Sequence, residues 1–260
     1  MCFSAEASFL ASGWLVAVGA ATLAIPRGHG ERQTLPLALT PLLFGLQQGL
    51  EGLVWLGVEG HPRSGGADST TVAATLAYLF FAYAFWPVWM PWTAVSLLPG
   101  PLPKARLWRW LALLGLVPGL VLWLPLLHHP PAALPVRIGH SLVYPLHPWS
   151  AGLLPPWVGP ALYAAWIVLP LALVPSWRVR VFALTLLLAF ALTEWTVRQA
   201  LTSVWCYASA LLAGQILWIL RQSPSSGQNE TPGWADRRSD SAWWSEWAVC
   251  WKGRAGGEPR

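Results

Sequence analysis

The chain has 260 residues, of which 10% are charged and 55% hydrophobic, with 20 tryptophans and a formal net charge of +5. So few polar groups could not cover a water-soluble domain of this length, and the composition points to a lipid bilayer as the solvent. The positive charge is mostly arginine spread through short loops instead of one basic patch, which argues against a nucleic-acid partner, and Cys2, Cys206 and Cys250 form no CxxC, zinc-finger or disulfide framework.

In chain order, the start MCFSAEASF carries no Lys or Arg and has an acid at Glu6. It therefore lacks the basic region of a secretory leader, although the apolar run behind it has the look of one. Crossing about 30 Å of hydrocarbon takes roughly 20 apolar residues. Seven runs approach that length: Ser8 to Ile25, Leu35 to Val58, Val72 to Leu98, Leu107 to Leu127, Trp157 to Val174, Val179 to Val197 and Val204 to Leu220. The third holds Pro87 and Pro91 within FWPVWMPW and is expected to kink there. The expected fold is all-α: a polytopic membrane protein with seven transmembrane helices over residues 1–221, followed by a disordered cytoplasmic tail over 222–260.

Loop charges give this arrangement a direction. With the N-terminus outside and the C-terminus inside, the inner segments hold Arg27, Arg32, Lys104, Arg106, Arg109, Arg178, Arg180 and Arg221, against Arg63, Arg137 and Arg198 outside. That asymmetry follows the positive-inside rule.

MCFSA at the start, LLFGLQQGLEGLVW, HSLVYPLHPW, ALYAAW and TSVWCYASALL together resemble a family of uncharacterised bacterial seven-helix membrane proteins, classed as a domain of unknown function. The likeness covers about Met1 to Leu220, and its specific part is the pair of MCFSA and SVWC motifs. It implies a multi-pass protein of the bacterial inner membrane. It supplies no substrate, cofactor or catalytic residue.

Site candidates come from the residues. Gln48, Glu51 and Trp55 stand at i, i+3 and i+7 and share one stripe of the second helix. A carboxyl inside an apolar helix is expensive and marks a functional site by default, with an interhelical hydrogen bond as the plainer alternative. In the sixth run, Glu194 precedes Arg198 by one turn, in the favourable order for an ion pair. Small-residue faces at Gly13, Ala17 and Ala21 and at Cys206, Ala210 and Gly214 would let the first and last helices pack closely. Cys2 and Cys206 could then meet as a disulfide or a thiolate pair. The loop after the fourth run carries His128, His129, His140 and His147, without any known metal-ligand spacing.

The absence of lysine from the last run excludes a retinal Schiff base, and no nucleophile with an adjacent base is legible. The leading expectation is a membrane binding or sensory protein. Its pocket, lined by Gln48, Glu51, Trp55 and Tyr144, would take a small molecule or ion; cofactor and metal are left unassigned. A proton- or ion-coupled transporter using Glu51 and Glu194 is the alternative, and a membrane-embedded enzyme ranks third.

Overall fold

The computed structural model describes residues 4–26, 31–60, 68–98, 106, 109–111, 113–128, 130–144, 155 and 157–222. The chain divides between Ser223 and Pro224, and the second unit, Pro224–Arg260, lies outside the described residues, as does nearly all of the expected tail.

Helix α1 (Ala5–Ala24) begins where Ser4, in an extended conformation, accepts the Ala7 N–H on its hydroxyl at 3.2 Å. This satisfies one orphan amide of the first turn, and Glu6 in that turn suits the helix dipole. Helix α2 (Leu35–Gly60) packs on α1 through glycines. A Cβ on Gly19 would lie 2.9 Å from the Leu42 backbone nitrogen, and one on Gly45 would lie 3.2 Å from the Ser12 carbonyl oxygen. The close approach brings backbone within reach of hydroxyls: Ser12 Oγ donates to Gly45 O and Thr22 Oγ1 to Ala38 O, both at 2.8 Å. The small face expected on the first helix is not the one buried here, because Gly13 and Ala17 are exposed.

Helix α3 (Ser69–Phe80) starts at Asp68, whose carboxylate accepts the Thr71 N–H at 2.7 Å. It continues through a π-helical stretch, Phe81–Phe85, into α4 (Trp86–Ser96). Pro87 and Pro91 explain the break. Neither has an N–H, so the carbonyls four residues earlier, on Tyr83 and Pro87, lose their helical donors. A wider turn absorbs the misfit. Neighbours meet the exposed backbone: Trp166 Nε1 donates to Pro87 O at 3.0 Å and Tyr163 OH donates to Ala82 O. Both donors stand on α6 (Val158–Ala172). Helix α5 (Leu116–His128) comes in at Gly119, where a Cβ would fall 2.5 Å from Tyr83 O.

Between α5 and α6 the chain forms a short antiparallel hairpin, β1 (Val136–Ile138) with β2 (Ser141–Val143), in which Arg137 pairs with Leu142. Gly139 turns it with φ of 60°, a conformation that glycine adopts without steric cost.

Helix α7 (Trp177–Val197) passes through a 3₁₀ turn at Arg198–Ala200 into α8 (Leu201–Leu212) and α9 (Gln215–Arg221). This run doubles back on itself. Phe190 meets Trp205 at 5.1 Å between ring centroids, Trp177 meets Trp218 at 5.5 Å, and Trp205 Nε1 donates to Leu186 O at 3.3 Å.

The fold is all-α apart from the small hairpin, but the expectation of seven transmembrane helices is corrected. The described residues form 6 joined helices, of which 4 are long and apolar enough to cross a membrane: Ala5–Ala24, Ser69–Ser96, Arg109–His128 and Trp177–Arg221. Three causes account for the difference. Gln47, Gln48 and Glu51 interrupt the apolar run of α2. Helix α6 has only 15 residues, about 22 Å at 1.5 Å per residue, short of the roughly 30 Å of hydrocarbon. The sixth and seventh expected spans are joined without a loop, through the 3₁₀ turn at Arg198–Ala200, into one helical run of 45 residues whose two arms pack on each other. The N-outside, C-inside orientation rested on seven alternating crossings and falls with that count.

The chain is a multi-pass membrane protein with several apolar helices. Large apolar side chains point outward along these helices, among them Leu10, Val121, Leu188 and Trp195, a surface that suits acyl chains and not water. Inside, one core gathers Phe44, Trp86, Phe182, Leu186 and Trp205, and a second gathers Trp55, Tyr78, Leu142, Tyr144 and Cys206.

Candidate functional site

The second core carries the polar groups. On α2, Gln47, Gln48, Glu51 and Trp55 are offset by one, three and four residues, which places all of them within about 100° of one helical face. Each is at most 1% exposed. The helices packed on this face add Tyr78 from α3 and Ser203 and Cys206 from α8, and the segment after β2 adds Tyr144.

Glu51 sits at the centre. Ser203 Oγ donates to its Oε1 at 2.5 Å, a charge-assisted geometry if the carboxyl is ionised. Gln48 and Tyr78 approach the same carboxyl, and Tyr144 lies within electrostatic reach of it. The tyrosines are fixed by their rings and neighbours. Tyr78 stacks on Tyr144 with centroids 5.3 Å apart and donates its hydroxyl to Thr202 O at 3.3 Å, while Tyr83 OH shares a 3.2 Å bond with Thr202 Oγ1.

Hydrogen bonding within the cluster is incomplete. Gln47 Oε1 accepts from Trp86 Nε1 at 2.7 Å, which fixes the orientation of that amide and leaves Nε2 as its other end. Among the described residues, six buried polar atoms here make no hydrogen bond: Gln47 Nε2, Gln48 Nε2 and Oε1, Glu51 Oε2, Trp55 Nε1 and Tyr144 OH. Both ends of the Gln48 amide are among them.

The hairpin closes one side of the cluster. Leu142 is fully buried, Tyr144 follows directly, and the Arg137 guanidinium stands over the Trp55 ring at 5.8 Å while pairing with Glu59 at 3.6 Å. Beside Cys206, a cavity of about 20 Å³ lies between Phe44, Trp86, Trp205 and Ser209, room for about one water molecule.

The structure thus brings Gln48, Glu51, Trp55 and Tyr144 to one cluster. Glu194 and Arg198 form their own pair at 2.9 Å near the 3₁₀ turn; among the described residues Glu194 pairs with Arg198 and not with Glu51. Cys206 is a buried free thiol, and Cys2 lies outside the described residues. His128 and His140 are described, His129 and His147 are not, and no group of three or more metal-ligating side chains occurs among the described residues.

Sequence reasoning missed Gln47, Tyr78 and Ser203. The signal for Gln47 was present, since it stands one turn before Glu51. Ser203 stands one turn before Cys206 at the start of α8, but nothing in that stretch distinguishes a hydroxyl that reaches a carboxyl 152 residues away. No family model, no curated protein and no solved structure matches this chain.

Proposed function

We propose that this multi-pass membrane protein binds a small polar molecule or ion in the cluster centred on Glu51, and that binding, not catalysis, is its primary act. One observation carries the reading: among the described residues, six polar atoms without a hydrogen bond sit on four side chains of α2 and on Tyr144, all buried. Leaving a buried polar group unpaired costs about 1–3 kcal/mol. Six such groups would consume most of the 5–15 kcal/mol by which proteins are stable, so a polar guest that pairs with them offsets a cost comparable to the whole fold's stability. The MCFSA and SVWC stretches support placing the protein in the bacterial inner membrane.

The test is retention of a guest. Protein extracted with its native lipid is washed, denatured and assayed for released small molecules by mass spectrometry and for metals by elemental analysis. Wild type should release one species in fixed proportion to protein, and Glu51→Leu should release none. Equal release from both would refute a site at Glu51.

A further inference from the structure

We propose that the paired end of α7 and α9, where Arg178 is held by the rings of Trp177 and Trp218, is a binding site for the phosphate of an anionic phospholipid. Depth in the membrane comes first. Trp177 is 60% exposed and Trp195 is 85% exposed. They are separated along α7 by about 27 Å at 1.5 Å per residue, close to the roughly 30 Å of hydrocarbon. Indole rings collect at both edges of that layer, so these two mark its interfaces, and Arg178, next to Trp177, stands at the level of the headgroups. Between them, Val181, Leu184 and Leu188 are exposed in the same stripe as Trp177, at i+4, i+7 and i+11. That strip suits the acyl chains of a lipid whose headgroup lies at Arg178.

The guanidinium at that level is already fixed in place. Its carbon stands 5.5 Å from the Trp177 ring centroid and 6.0 Å from that of Trp218, and Nη1 donates to Gln222 O at 2.8 Å in an exposed position. Arginine presents its N–H donors in a planar fork that matches phosphate oxygens. The terminal N–H groups not engaged by Gln222 are therefore left for a ligand, on a side chain whose freedom is already restricted. Two further arginines lie at the same end. Arg221 is exposed one residue before that carbonyl, and Arg180 is exposed with its Nε donating to Val174 O at 3.0 Å. Ser176–Arg180 and Trp218–Gln222 contain no Asp or Glu. Among the described residues no carboxylate pairs with these three arginines, whereas Arg137 is engaged by Glu59 and Arg198 by Glu194. The site has positive charge for a phosphodiester and no acid for the ammonium of a zwitterionic lipid, so it selects a headgroup of net negative charge.

Native mass spectrometry of the full chain in detergent, titrated with phosphatidylglycerol or with phosphatidylcholine of the same acyl chains, tests this. Wild type should bind phosphatidylglycerol about tenfold more tightly than phosphatidylcholine, and Arg178→Gln should shrink that preference about fivefold, the worth of one arginine beside an anionic lipid surface. Arg221→Gln, which alters an exposed side chain without an ion pair among the described residues, should shrink it in the same direction and keeps the test open if Arg178→Gln does not fold. Arg198→Gln, at the other end of α7, should leave the preference intact, because that charge is already engaged by Glu194. Inorganic phosphate in excess should not displace the lipid. Equal affinity of wild type for the two lipids would overturn the site, as would a wild-type preference in both Arg178→Gln and Arg221→Gln. An Arg198→Gln variant that loses as much as Arg178→Gln would replace the site with diffuse charge attraction. Displacement of phosphatidylglycerol by inorganic phosphate would overturn the lipid assignment in favour of a soluble phosphate.

Discussion

Ser203 and Glu51, 152 residues apart in the chain, are joined by a 2.5 Å hydrogen bond from the Ser203 hydroxyl to Oε1 of the carboxyl. This bond ties α8 to α2 at the point where both are buried, and it leaves Oε2 of the same carboxyl facing the cluster without a partner. The interhelical role of Glu51 thus falls to one oxygen, and the proposed guest-binding role to the other.

Removing the Ser203 hydroxyl separates those roles. Ser203→Ala removes the donor to Oε1 and should destabilise the protein by about 1–3 kcal/mol, measured as a lower midpoint of thermal unfolding in detergent. Ser203→Thr, which retains the hydroxyl, should cost less. Equal midpoints for wild type and Ser203→Ala would mean that the bond contributes nothing to holding α8 on α2.

The contact between α1 and α2 depends on glycine at specific places. A side chain at Gly19 would run into the Leu42 backbone, so Gly19→Val should cost about 1–3 kcal/mol through overpacking. Gly13, on the same helix, has nothing within 4 Å of an added Cβ, and Gly13→Ala should leave the unfolding midpoint unchanged. Similar effects at the two positions would contradict the packing face described.

The proline break offers a double-mutant test. Pro91 leaves the Pro87 carbonyl without a helical donor, and Trp166 Nε1 supplies one at 3.0 Å. Trp166→Phe should cost about 0.6 kcal/mol, up to about 1.7, as for other hydrogen bonds between membrane helices. Pro91→Ala restores a backbone N–H that can reach the same carbonyl, so in that background the loss should shrink. Strict additivity of the two changes would show that the tryptophan does not serve the freed carbonyl.

What the sequence made legible, and what it did not, follows from how each signal is encoded. Glu51 stood out because a carboxyl in an apolar run is costly wherever the helix packs, and its i, i+3 and i+7 companions follow from helical geometry alone. The break at FWPVWMPW was legible because proline removes a donor in any context. The number of spans was not, since apolar length cannot reveal that the last two runs are joined without a loop or that α6 stops after 15 residues. The face of α1 was misjudged because small residues occur on both sides of that helix. Gly19 packs against Leu42, a neighbour that only the fold specifies. Tyr78 and Ser203 reach the cluster from separate helices, where an isolated hydroxyl has no periodic signature.

The central claim, that the cluster at Glu51 holds a polar guest, is tested most directly by a density map of the full chain in native lipid, at a resolution that shows ordered water. The account expects non-protein density within hydrogen-bonding distance, about 2.7–3.2 Å, of Glu51 Oε2, of the Gln48 amide and of Tyr144 OH. A map in which Gln48, Trp55 and Tyr144 have turned to bond one another and Glu51, with nothing between them, would contradict it.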